Sequence, residues 1–123
     1  MGTALIVEDS LTDKEVLSLC LENCGITVLT AKSAEEAFDQ IKSHQFDVII
    51  LDVVLPDRSG FEICRELKDA ETTRKVPVIM CSTKGTEMDK FWGMKQGADA
   101  YLAKPINQEE LTQIVNNLVK KKE

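Results

Sequence analysis

The chain has 123 residues, 43% of them hydrophobic and 29% charged, and its 15 Lys and Arg against 21 Asp and Glu give a net charge of −6. That length suits one domain with one core, because domains usually run about 100–150 residues, and the acidic balance argues against a nucleic-acid backbone as the direct ligand. No apolar run approaches the roughly 20 residues that a bilayer span needs, and the start, MGTALIVEDS, lacks a signal peptide's basic flank and long apolar stretch. The expectation is a cytoplasmic protein with no membrane or nucleic-acid partner and little room for a separate output module.

Apolar blocks alternate with amphipathic ones along the chain. Ala4 to Val7 reads as a buried strand ending at Glu8 and Asp9. Ser10 to Cys24 carries Val16, Leu17, Cys20 and Leu21 at helical spacing and stops at Gly25. Ile26 to Leu29 alternates like a more exposed strand. Ser33 with Glu36 has the capping-box pattern, opening a helix whose inner face is Ala37, Phe38 and Ile41. Val48 to Leu51 is apolar at every position, as in a strand covered on both faces, and ends at Asp52.

Ser59 and Glu62 form a second capping-box pattern before a helix through Phe61, Cys64 and Leu67. Val76 to Cys81 reads as a strand with Pro77 near its start, where proline is tolerated. Glu87 to Gln96 reads as a helix ended by Gly97, with Gly93 weakening its interior. Tyr101 to Ala103 is a short strand, and Asn107 with Glu110 opens a last helix running into Lys120, Lys121 and Lys122, which complement its C-terminal dipole. Five strand–helix units in sequence imply an α/β fold, a doubly wound parallel sheet with helices on both faces.

The cysteines add little chemistry. Cys20, Cys24, Cys64 and Cys81 form no C-x-x-C pair, and one histidine, His44, lies in the polar stretch 42–45, so the zinc-finger patterns fail. Buried or half-buried thiols in a reducing compartment are expected.

In open α/β sheets, ligands bind beyond the carboxyl ends of the strands. The residues following the strands are Glu8 and Asp9, Asp52, Ser82 and Thr83, and Lys104. Three carboxylates brought together repel one another unless protons or a cation relieve them. Mg²⁺ suits few carboxylates with positions left for water and phosphoryl oxygens. The lysine and the hydroxyl also suit phosphoryl oxygens, and a carboxylate there can act as a nucleophile that forms an acyl phosphate. Asp52, at the end of the most apolar strand, is the best candidate. Each of these residues alone also fits a structural role, since Asp and Ser after strands cap the helices that follow.

Glu8-Asp9-Ser10, Asp52-Val53-Val54-Leu55-Pro56-Asp57-Arg58-Ser59-Gly60, Ser82-Thr83 and Ala98-Asp99-Ala100-Tyr101-Leu102-Ala103-Lys104-Pro105 together resemble a two-component response-regulator receiver domain of CheY-like type. The resemblance covers residues 1–123 as a single receiver domain and implies strand order 2-1-3-4-5. Within the family, Ser82 to Gly85 followed by Phe91 to Ala98 is most similar to the stand-alone PilG/PilH-type regulators of type IV pilus motility.

The resemblance implies that Asp52 accepts a phosphoryl group from a sensor histidine kinase. It implies Mg²⁺ held by Asp9, Asp52 and the backbone carbonyl of Val54, with Glu8 acting through water. Ser82 and Lys104 contact the phosphoryl group, Tyr101 is the switch aromatic, and Lys104–Pro105 is cis. The implied output is a downstream protein on the face made by the fourth helix, fifth strand and fifth helix. Phe91, Trp92 and Met94 lie on that helix and serve either as partner anchors or, at helical spacing, as core. Val54 and Lys84 stand where the family controls access of the hydrolytic water, so an apolar Val54 implies slow self-dephosphorylation.

Other readings of the same architecture fit less well. A small Asp-nucleophile, Mg²⁺-dependent phosphatase of the haloacid-dehalogenase type would need a second acid where Val54 stands. A flavodoxin-like carrier would need a hydroxyl- and glycine-rich phosphate loop after the first strand, and no P-loop or G-x-G-x-x-G pattern occurs. A receiver-like adaptor that is never phosphorylated has no need of the full acid, hydroxyl and lysine set.

Overall fold

The apolar runs form strands that feed two cores at once, because successive side chains on a strand point to opposite faces. The computed structural model describes residues 2–120. In chain order the elements are β1 (Thr3–Val7), α1 (Leu11–Asn23), β2 (Thr27–Ala31), α2 (Ala34–Ser43), β3 (Val48–Leu51), α3 (Gly60–Asp69), β4 (Val78–Ser82), α4 (Glu87–Lys95), β5 (Ala100–Ala103) and α5 (Gln108–Lys120). All strand pairs are parallel, in the order β2-β1-β3-β4-β5.

Leu5 and Val7, Ile49 and Leu51, and Val78 and Met80 pack with Ala34 and Ala37 of α2 and Ile63, Cys64 and Leu67 of α3. Their alternates Ala4 and Ile6, Val48 and Ile50, and Ile79 and Cys81 pack with Leu17, Cys20 and Leu21 of α1 and Leu111 and Val115 of α5. The expected doubly wound fold is thus present, and β2, an edge strand, is exposed or half-buried over all but its last residue. Burial raises the pKa of the Cys64 thiol to about 11 and that of Cys81 further still, which suits inert core thiols.

Several boundaries differ from the sequence expectation for identifiable reasons. Pro77 has no N–H and precedes β4, where its carbonyl accepts from Ile49 N at 2.9 Å. Ser82 is the last residue of β4, not a residue beyond it. The Ser59–Glu62 box does not close: Ser59 Oγ accepts from Phe61 N at 3.2 Å, while the Arg58 guanidinium draws Glu62 and Glu66 at 3.4 and 2.5 Å. At α2, Ser33 Oγ accepts from Glu36 N, but the Glu36 carboxylate reaches Lys32 N instead of Ser33 N. The reciprocal box belongs to Thr86 and Asp89 at α4. Lys121 and Lys122 lie outside the described residues.

Gly25 and Gly97 have φ of 81° and 102°. Each ends its helix with paired bonds back to the last turn, Gly25 N to Glu22 O with Ile26 N to Leu21 O, and Gly97 N to Met94 O with Ala98 N to Gly93 O. Gly60 serves by its size. A Cβ there would stand 2.1 Å from the Asp52 carbonyl oxygen and 2.8 Å from Val53 Cα, so α3 starts hard against the backbone of the candidate site. Because that neighbour is backbone, Gly60→Ala is expected to reach or exceed the upper end of the roughly 1–3 kcal/mol typical of overpacking, read as a lowered urea midpoint at unchanged slope.

Candidate functional site

Three strand ends and one helix start deliver charged groups to a single point. Glu8 leaves β1 with its N–H bonded to Ala31 O at 2.9 Å, and Asp52 leaves β3 with its N–H on Val7 O at 3.1 Å. Lys104 leaves β5 with its N–H on Ser82 O at 2.9 Å, and the Lys104–Pro105 bond is cis. The Lys104 Nζ donates to Glu8 Oε1 at 2.6 Å, to Asp52 Oδ2 at 2.9 Å and to Asp13 Oδ2 at 2.9 Å. The side chains of Lys104, Glu8 and Asp52 are 8%, 2% and 7% exposed, and that of Asp13 is 38% exposed.

The remaining hydrogen bonds orient these groups. Glu8 Oε2 accepts from Ser10 N at 3.1 Å, and Asp52 Oδ1 accepts from Val54 N at 3.1 Å. Ser82 is fully buried, and its Oγ accepts from Lys84 N at 3.2 Å, which leaves the hydroxyl proton to be donated. Tyr101 is half-buried and its hydroxyl donates to the Lys84 carbonyl. Burial pushes the Tyr101 phenol up to about 12. Gly93 makes room for that ring, since a Cβ on it would lie 2.6 Å from Tyr101 Cδ2. Asp9 is exposed at the end of β1, and Val54 is 49% exposed on the loop after β3.

Burial by itself would lower the Lys104 pKa, but the bonds to Glu8, Asp52 and Asp13 outweigh it and hold the ammonium above the ordinary lysine value. For Glu8 burial wins: it lifts the carboxyl above 4.5, against the bonds from Lys104 and Ser10 N, and the Asp52 charge adds to the rise. Protonating Glu8 therefore stabilises the folded chain. That contribution is complete below the ordinary value of 4.5 and is lost as pH rises through the raised one.

Of the sequence candidates, the structure brings Glu8, Asp52 and Lys104 into direct contact, with Ser82 at the neighbouring strand end and Asp9 beside Glu8. Two residues of the site escaped the sequence reading. Asp13 is one; its signal was its place three residues after the helix cap Ser10, whose Oγ accepts from Asp13 N at 3.3 Å. Asp57 is the other. Its two carboxylate oxygens accept from Ala34 N and Glu35 N at 3.0 and 3.1 Å, tying the loop after β3 to the start of α2, and the Ala34 bond leads in lowering its pKa.

Among the described residues, no three His, Cys, Asp or Glu side chains are gathered as a ready metal-ligand set; the acids converge on the ammonium instead. Three carboxylates against one ammonium leave excess negative charge on oxygen-only donors. That chemistry fits a hard divalent cation such as Mg²⁺.

Residues 4–116 match the response regulator receiver domain. The chain belongs to that family. Protein PilH of Pseudomonas aeruginosa is 41% identical over 117 residues, which are 94% of this chain and 96% of PilH. The phosphate regulon transcriptional regulatory protein PhoB of the same organism is 39% identical over 89% of this chain, and this receiver domain spans 48% of PhoB's length. The receiver domain of sensor histidine kinase PA1611, also from Pseudomonas aeruginosa, superposes with TM-score 0.87 at 27% identity over 97% of this chain and 98% of that one. Its structure has a magnesium ion coordinated in the active-site cleft.

Removing Lys104 would strand two buried acids. Lys104→Met is expected to cost about 3–5 kcal/mol at pH 7, the range for breaking one side of a buried pair. The loss should shrink at pH 4, where Glu8 takes up a proton, and paired urea titrations at the two pH values measure both.

Proposed function

We propose that this receiver domain takes a phosphoryl group onto Asp52 from a phosphohistidine of a sensor histidine kinase and signals by contact with another protein. The observation that carries this reading is the Lys104 ammonium held 2.9 Å from the buried Asp52 carboxylate at the carboxyl edge of the sheet. A carboxylate oxygen of Asp52 forms the bond to phosphorus as the phosphorus–nitrogen bond breaks. With the other ring nitrogen of the phosphohistidine protonated, the nitrogen released from phosphorus keeps that bond's electrons and the ring leaves as neutral imidazole. The acyl phosphate carries about −1.5 to −2 of charge in total where the carboxylate carried a single negative charge, so the site gains about one further negative charge at most. Lys104 can redirect one N–H to a phosphoryl oxygen, and Ser82 can donate its hydroxyl proton to another.

Asp9, Asp52 and the Val54 carbonyl would hold Mg²⁺ directly and Glu8 through water. When bound, the ion neutralises charge on the phosphoryl oxygens. Family membership and the magnesium in the PA1611 receiver support this assignment.

Engagement of Ser82 at the end of β4 would pull on the 83–85 loop, where Tyr101 bonds the Lys84 carbonyl, and so change the face made by α4, β5 and α5. On α4 that face carries Met88, Phe91, Trp92 and Met94, all exposed. Aromatics and Met are enriched where partners bind, and a downstream protein is the proposed occupant. Similarity to PilH along nearly the whole of both chains supports motility-type control as the output.

Incubation with Mg²⁺ and acetyl phosphate should add one phosphoryl group by intact mass, and Asp52→Asn should abolish it. Repeated turnover of assorted phosphate esters would indicate a phosphatase instead, and no incorporation from any donor would indicate an unphosphorylated adaptor. The phosphorylated form should last minutes or longer, because Val54 offers nothing to orient a hydrolytic water. Val54→Gln is expected to shorten that lifetime several-fold, and a wild-type lifetime of only seconds would refute the assignment to Val54.

A further inference from the structure

We infer that Asp13 is a positioning residue of this site, acting through Lys104 to set the affinity for a divalent cation and the readiness of Asp52 to react; the inference rests on the reading of Asp52 as phosphoacceptor. An ammonium has three N–H donors. Here each goes to a different carboxylate, on Glu8, Asp13 and Asp52. Two of these partners are buried, and the third is 38% exposed on the first turn of α1. Its backbone is fixed there by the bond from Asp13 N to Ser10 Oγ.

Without Asp13 the ammonium would be shared by the two buried acids alone. It would neutralise them more completely and bind Asp52 more tightly. With Asp13 present, one N–H is drawn toward α1, Asp52 keeps a single N–H, and the cluster retains a further negative charge. Both effects favour entry of a hard cation and leave Asp52 freer to attack phosphorus. Once a phosphoryl group is on Asp52, the N–H on Asp52 Oδ2 is the one to move across, while Glu8 and Asp13 hold the ammonium in place. A first-turn acid also interacts favourably with the helix dipole, but that role concerns stability and does not reach the cation.

The test is calorimetric titration of the full chain with Mg²⁺ alone, alongside phosphoryl uptake from acetyl phosphate at subsaturating Mg²⁺. Asp13→Asn should raise the Mg²⁺ dissociation constant about three- to tenfold, the order expected for one partly exposed unit charge, and should slow uptake. Asp13→Glu should restore both to within about twofold. Glu15→Gln removes an equal charge from an exposed position of the same helix and should change the constant by less than about twofold. An unchanged constant in Asp13→Asn, or an equal rise in Glu15→Gln, would overturn the inference while leaving Asp52 as the acceptor. A wild-type chain that neither binds Mg²⁺ nor takes up a phosphoryl group would overturn both readings.

Discussion

The Lys104 ammonium, with all three of its protons on carboxylates, is the contact around which the carboxyl edge of the sheet is arranged. Breaking either side of such a buried pair leaves an uncompensated charge, so Lys104, Glu8 and Asp52 depend on one another. The sheet order explains why the cation is a lysine. Neighbouring strands lie about 4.8 Å apart, and β5 is separated from β3 by β4 and from β1 by both. The long unbranched stem crosses the end of β4, above Ser82, to place a compact charge among acids that follow two other strands. A guanidinium would bring a planar fork suited to one bidentate partner, whereas three carboxylates from three elements call for three separately directed donors.

That contact is possible only because the strands beneath it are buried on both faces. Ile49 and Leu51 face one core and Val48 and Ile50 the other, so β3 ends without a solvent-facing side and delivers Asp52 already dehydrated. Gly60 presses the start of α3 against the Asp52 backbone, and Asp57 ties the intervening loop to α2. The Asp52 carboxylate is therefore fixed from below by the sheet, from one side by α3 and from above by Lys104.

Much of this was legible in the sequence because it depends on local pattern. Runs without polar alternation announced two-sided strands, and the residue after each run announced the crevice, giving Glu8, Asp52 and Lys104. What escaped depends on partners distant in sequence. Asp13 looks like an ordinary first-turn acid until Lys104, 91 residues away, reaches it. Asp57 lies in a turn and caps a helix that begins 23 residues earlier. Glu62 followed a capping pattern, yet the Arg58 guanidinium draws it away. Gly93 looked like a weakness in α4 until the Tyr101 ring occupied the space its side chain would need.

That last accommodation also sets the rotational phase of α4. With Gly93 turned toward Tyr101, a helix advancing about 100° per residue places Met94, Phe91, Met88 and Trp92 in turn around the side pointing directly away from the sheet. All four are exposed, and Lys95 lies over the Phe91 ring. The missing side chain works as a keyway. Sliding the helix by a turn would drive Lys90 or Gln96–Gly97 into the ring's place, and rotating it would carry a bulky neighbour there. The apolar arc is thus held at one bearing relative to β5, so a movement of Tyr101 is handed to the outer surface as a tilt or shift of the whole arc rather than a reshuffling of its members.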